Sequence, residues 1–253
     1  MTGTARFPSL NSARVLVTGG ASGIGAELVR GFVDQGARVG VLDIDAEAGR
    51  ALSDELGEAI GFAQCDLRDL DALPRVIGAL AEELGPFTVL VNNAARDDRH
   101  AFHDLTPEYW RDCLATNLSH HVFAAQAVAP GMVAAGSGSI INMGSISWMR
   151  GRPGMLGYTT SKAAIHGMTR SLAAELGPEG IRVNSVVPGA ILTERQAKLW
   201  LTPEKNAEFL AEQALKFRLE PHHITPMVLF LASDASAGCT GQSFIIDAGL
   251  TLN

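Results

Sequence analysis

The chain has little cysteine, no excess of positive charge and no long apolar run. Its three cysteines, Cys65, Cys113 and Cys239, are odd in number and far apart. That spacing argues against a disulfide framework, a redox pair or a structural zinc site, and suggests buried thiols in a reducing compartment. The formal charge is −7 and the pI is near 5.5. A surface built to attract nucleic acid or anionic membrane is therefore disfavoured, and a small-molecule partner is favoured. No stretch approaches transmembrane length, and the opening "MTGTARFPSLNSARVLVTGG" has no apolar centre followed by a small-residue cleavage site. The expectation is a soluble, cytoplasmic protein. Tyrosine and lysine are also scarce, with two and four copies in 253 residues, yet one of each stands together in "GYTTSK".

With 47% hydrophobic and 19% charged residues, the chain can bury one large core. We read 1–253 as a single domain with a short N-terminal arm at 1–12. Seven short apolar runs bounded by turn residues read as strands: 14–19, 38–43, 60–66, 87–93, 138–144, 181–187 and 243–248. Segments such as "GAELVRGFVDQG" and "AAIHGMTRSLAAELG" between them repeat apolar residues at helical spacing. Apolar strands alternating with amphipathic helices predict an α/β fold: a Rossmann-type, doubly wound and mostly parallel sheet with helices on both faces. Ligands of such sheets bind beyond the carboxyl ends of the strands. The interval 193–219 is helical and charged but leads into another helix, and we read it as a substrate lid.

Gly19, Gly23 and Gly25 in "VLVTGGASGIGAELV" follow the first strand and open a helix. Backbone amides there can approach a pyrophosphate, which the helix N-terminus also favours; the alternative is an ordinary glycine turn. Asp43 ends the second strand, where a carboxylate can accept from both ribose hydroxyls and would repel a 2′-phosphate, so NAD is preferred over NADP. It could equally cap the helix that starts near Ala46. Asp66, after the third strand, is placed to meet an adenine amino group or to serve as a turn residue.

Tyr158 precedes Lys162 by four residues, one helical turn, so the two share a face. A tyrosine hydroxyl has a pKa near 10 and needs help to act as a base; a nearby ammonium stabilises its phenolate. Ser145 leaves the fifth strand at its carboxyl end and can orient a substrate oxygen. It lacks the glycine pattern of a strained nucleophile. His120–His121 and His222–His223 are adjacent pairs, which a helix would point to different sides, and no acid nearby completes a metal site; no metal is expected.

Taken together, "TGGASGIG", "NNAA" at 92–95, Asn117 in "ATNLSHHVF", Ser145, "YTTSK" and "VVPGAILT" resemble the short-chain dehydrogenase/reductase family from Arg14 to Gly249. The resemblance implies an NAD-dependent oxidoreductase with Tyr158 as acid/base. Lys162 would lower its pKa and hold the nicotinamide ribose, Ser145 would orient the reacting oxygen, and Asn117 would help hold a relay water. Ser22 and Ile24 would face the phosphates and ribose, Asn93 the adenosine side, and Ile191 and Thr193 the carboxamide. Ile44, Leu67 and Pro188 complete the implied cofactor set. A homotetramer is implied as well. Ala95 stands where the family often has glycine, and "DAG" stands where it often has "DGG"; both exchange one small residue for another.

The family acts on many substrates, so the loops must choose. "NNAARDDRH", "GSISW" and "TERQAKLWLTPE" resemble the branch that oxidises free aldoses at the anomeric hydroxyl to the lactone. A sugar needs directional hydrogen bonds and often an aromatic face. The candidates are Asp97, Asp98, His100, Ser147, Trp148 and Arg195, against the alternative of a solvated turn. Two other readings stay open: dehydrogenation of a 2-keto-3-deoxy sugar acid or other small polyol, with Arg152 or Arg195 pairing a carboxylate, and a non-catalytic NAD-binding regulatory module.

Overall fold

The computed structural model describes residues 5–199 and 202–252. Each apolar run becomes a strand: β1 (Arg14–Thr18), β2 (Arg38–Asp43), β3 (Ile60–Gln64), β4 (Val89–Asn92), β5 (Gly138–Met143), β6 (Ile181–Pro188) and β7 (Ser243–Ile246). They form one sheet in the order β3-β2-β1-β4-β5-β6-β7, with every neighbouring pair parallel. The pairing stops short of Gly19, Cys65, Asn93 and Gly144, which the runs had included. The amides of Gly19, Cys65 and Gly144 still donate to Leu42, Asp43 and Val186 of the neighbouring strands, which anchors the start of each loop at the carboxyl edge.

The helices are α1 (Gly23–Asp34), α2 (Ala46–Leu56), α3 (Leu73–Leu84), α4 (Pro107–Leu114), α5 (His120–Ala135), α6 (Leu156–Leu176), α7 (Glu194–Leu199), α8 (Pro203–Glu212) and α9 (Thr225–Ala232). Because successive side chains point to opposite faces, β1 feeds two apolar layers. Val15 and Val17 pack with Leu28 and Phe32 of α1 and Val228 and Leu229 of α9. Leu16 packs on the other side, with Ile77 and Leu80 of α3 and Val128 and Met132 of α5. Burial on both faces explains why these strands read as continuous apolar runs without alternation.

Asp45, not Asp43, caps α2: its side chain accepts from the Glu47 and Ala48 amides at 3.0 Å each. The N-terminal arm is docked from residue 5 onward. The Phe7 amide donates to Gln35 Oε1 at 2.8 Å, and Leu10 is buried. In the 193–219 interval, α7 and α8 flank residues 200–201, which lie outside the described part. Leu219 then returns to pair with Ile191.

Candidate active site

A cleft of about 580 Å³ opens at the carboxyl edge of the sheet, across the point where β1 and β4 lead in opposite directions. One end is the β1–α1 loop. A Cβ on Gly19 would lie 2.7 Å from Ala94 Cα, and one on Gly25 would lie 1.9 Å from the Gly19 carbonyl oxygen, so only glycine lets these segments pass. Ser22 precedes α1 without using its hydroxyl as a cap. The first-turn amides and this hydroxyl therefore remain for an anionic ligand. Gly23 has φ +53° and turns the chain into the helix.

Ser22, Ile24, Asp43, Ile44, Asp66 and Leu67 line the same end, and Pro188, Ile191 and Thr193 line the opposite bank. Asp43 accepts from the Ala21 amide at 2.9 Å and the Asp45 amide at 3.0 Å, which fixes its carboxylate toward the cleft with lone pairs to spare. Asn93 works on the loop: its amide donates to the carbonyls of Thr18 and Gly19 at 3.1 and 2.9 Å. Asp66 is held 2.6 Å from Arg68, whose guanidinium keeps that carboxyl below its ordinary value. A glycine cradle, an uncapped helix start and an acid at the second strand end together fit a dinucleotide.

At the other end of the cleft Ser145, Tyr158 and Lys162 come together. Ser145 caps the short turn Ile146–Trp148 by accepting from the Ser147 amide at 3.2 Å. Tyr158 and Lys162 lie on one face of α6, with the lysine nitrogen 5.7 Å from the tyrosine ring centre. Lys162 is 1% exposed and donates to the Met143 carbonyl at 2.7 Å. Burial brings it down to about 7 and pushes Tyr158 up to about 12, against which the hydrogen bond with Ser145 pulls. Burial of the phenol thus works against the help expected from the neighbouring ammonium. Asn117 is 1% exposed in a π-helical stretch, Ala115–Ser119. Its side chain is engaged behind the cleft wall, accepting from the Arg96 amide at 2.7 Å and donating to Cys113 Sγ at 3.3 Å.

Residues 19–251 match the family described as Enoyl-(Acyl carrier protein) reductase. The chain is 51% identical over 249 residues to a D-xylose 1-dehydrogenase of Caulobacter vibrioides, covering 97% of this chain and 98% of that one. It is 48% identical to a probable galactose dehydrogenase of Rhizobium meliloti, covering 98% of each. A 3-oxoacyl-[acyl-carrier protein] reductase of Brucella melitensis with bound NAD superposes with TM-score 0.89 at 31% identity, covering 100% of this chain and 98% of that one. The chain belongs to the short-chain dehydrogenase/reductase family. It is an oxidoreductase of that type, acting on CH–OH groups.

Within this short-chain dehydrogenase/reductase cleft the sugar candidates divide. Asp97, Ser147 and Arg195 line it. Trp148 does not: its indole N–H donates to His166 Nε2 at 2.9 Å, and His166 Nδ1 in turn meets Ser243 Oγ at 2.8 Å, so the ring faces α6 and β7. His100 is turned to Tyr109, ring centres 4.9 Å apart. Asp98 is taken up by Arg96 and by Arg195, the latter at 3.0 Å. It closes a chain of ion pairs running Asp66, Arg68, Asp112, Arg96, Asp98, Arg195. Asp98 and His100 are thus engaged by protein side chains, and neither lines the cleft.

Sequence reasoning missed Met155, Phe209, Arg218 and Leu250, which also line the cleft. The wall is therefore less polar than the loops implied. The aromatic ring at the cleft is Phe209 of α8, brought there by a helix packed on Ile146, Val187 and Leu250. Helical spacing could have suggested an inward face for α8, but not which wall it meets.

Two further expectations change. The rings of His120 and His121 lie 4.4 Å apart, both fully buried, and do not point to different sides; burial lowers His120 to about 3 and keeps it neutral. Cys239 is only partly buried, unlike Cys65 and Cys113. Among the described residues, no three potential metal ligands cluster, and no helix is long and apolar enough to cross a membrane.

Proposed function

We propose that this protein is an NAD-dependent dehydrogenase that oxidises a free aldose at its anomeric hydroxyl to the lactone. The observation that carries the reading is the meeting of Ser145, Tyr158 and Lys162 in the same cleft as a glycine-cradled dinucleotide site. The relatives named for xylose and galactose support the substrate class.

Gly19, Ser22, Ile24 and Gly25 would hold the pyrophosphate region and Asp43 the adenosine ribose, where its charge repels a 2′-phosphate. Ile44, Asp66 and Leu67 would flank the adenine; Pro188, Ile191 and Thr193 would position the nicotinamide. When bound, NAD supplies the hydride acceptor. Ser145 would orient the anomeric oxygen, and Tyr158 would take its proton as the C=O bond forms. In the absence of ligand, Tyr158 near 12 and Lys162 near 7 disfavour charge on either group. Tyr158 therefore has to give up its own proton before it can act as the base, and Lys162 and Asn117 would carry that proton away. The exposed Val122, Phe123 and Val133 of α5 suit the subunit contact of a homotetramer, which forms part of this reading.

Purified protein mixed with NAD and a panel of pentoses, hexoses and deoxyhexoses should produce NADH absorbance, with NADP a poorer acceptor. Tyr158→Phe should lower turnover by roughly 10²- to 10⁴-fold while NAD still binds. Unchanged turnover in that variant would remove Tyr158 as the base, and no turnover with any aldose would remove the function.

A further inference from the structure

Three arginines converge on one stretch of the cleft wall, Arg150 and Arg152 from the segment after Ser145 and Arg218 from the chain that follows α8. The guanidinium carbons of Arg152 and Arg218 both lie 4.9 Å from the Phe209 ring centre. Arg150 is 2.5 Å from Glu212, and Arg152 is 3.8 Å from the same carboxylate. Arg218 donates to the Ala190 carbonyl at 3.5 Å; its Nε and Nη1, like Nη1 of Arg150, are buried without a hydrogen-bond partner among the described residues. Glu212 is thus shared by Arg150 and Arg152, and no carboxylate pairs with Arg218 among the described residues. Burial and the positive charges of Arg150 and Arg99 both oppose the charge on Arg152, with Glu212 and Glu208 offsetting part of that.

Buried donors are normally satisfied, and a cation removed from water normally has a counter-charge. Sugar hydroxyls can accept from a guanidinium but cannot balance an excess of positive charge, whereas a carboxylate or phosphate does both through the planar two-donor fork. We propose that Arg152 and Arg218, backed by Arg150, form an oxyanion subsite for a sugar carrying a carboxylate or phosphate at the end remote from its anomeric carbon. The proposal rests on the aldose-oxidation reading and refines its substrate. The reaction is unchanged: the anomeric C–H gives a hydride to NAD, the O–H gives its proton to Tyr158, C=O forms, and the distal anion takes no part in bond changes. Nε and Nη1 of Arg218 are shut off from solvent, so an entering anion reaches them only when the side chain turns on the Phe209 ring. That turn forfeits a single long hydrogen bond.

The test compares kcat/KM for glucuronate and galacturonate, for glucose 6-phosphate, and for neutral glucose and galactose, in the wild type and in Arg218→Gln, Arg152→Gln and Arg218→Lys, each checked for an unchanged melting temperature. The expected result is a preference of about 10-fold or more for an anionic sugar over its neutral parent, the size of a charge-assisted hydrogen bond. It should be lost through KM in the two glutamine variants and partly restored in Arg218→Lys. The uronates and the phosphate ester distinguish the two anions. Calorimetric titration of each sugar into the protein with NADH reads the same preference without turnover. Equal or better use of neutral sugars, or a preference that survives both glutamine variants, would overturn the subsite. Absence of turnover with every aldose would instead count against the dehydrogenase reading, and the titration would still decide the subsite.

Discussion

Lys162 shows at the residue scale how burial and function are linked. Its ordinary value of 10.5 falls to about 7 in the folded chain. Between those values the unfolded chain holds a proton that the folded chain has released, so stability should rise with pH by at most about 1.4 kcal/mol per unit. Below pH 7 both states are protonated and the cost of the buried charge is fully present. Urea unfolding of wild type and Lys162→Met at pH 7 and pH 9 should therefore show the wild type gaining stability relative to the variant as pH rises; a difference that stays flat would contradict the burial effect. The spacing of Tyr158 and Lys162 was legible because a helix fixes which residues share a face. The direction of Trp148 was not. An indole N–H seeks a partner when packed, and the available acceptor, His166, is 18 residues away and is brought alongside only by α6.

At the scale of elements, the β1–α1 loop is the least forgiving part of the site. A methyl group at Gly25 would meet the Gly19 carbonyl oxygen at 1.9 Å and the Asn93 amide at 2.7 Å. Gly25→Ala should lower the melting temperature by the equivalent of roughly 1–3 kcal/mol and weaken dinucleotide binding. Gly167→Ala, whose added carbon meets nothing on the exposed side of α6, should be neutral or stabilise by about 0.5–1 kcal/mol. Thermal unfolding and NAD titration of the two variants check both statements. All seven strands were readable from their apolar runs, because a parallel sheet covered on both faces leaves little polar alternation in its inner strands, and the partly exposed edge strand β7 keeps its apolar residues. Their last residues were misplaced because an apolar or small residue looks the same inside the ladder and one step beyond it. The ion-pair chain from Asp66 to Arg195 was invisible for a different reason. Its members come from four separate segments, and exposed pairs of this kind leave no local pattern and contribute only about 0–1 kcal/mol each.

At the scale of the whole molecule, both apolar layers are built on the same sheet, with β1 supplying Val15 and Val17 to one and Leu16 to the other. We propose that the described chain therefore unfolds as one unit. Far-ultraviolet dichroism and tryptophan fluorescence should give coincident transitions in urea, and NAD should shift both together; separate transitions would mean that the layers are independent. Local chemistry is what the sequence by itself determined: which runs are strands, where glycine admits a phosphate, and which tyrosine has a lysine one turn away. Those properties depend on neighbours within a few residues. The tertiary structure decided which distant side chains meet, turning Trp148 and His100 away from the cleft, occupying Asp98 with arginines, and bringing Phe209 and Arg218 to the wall opposite expectation. Such meetings follow from how helices seat on a shared sheet, where burial and charge balance are settled between segments that no local spacing relates.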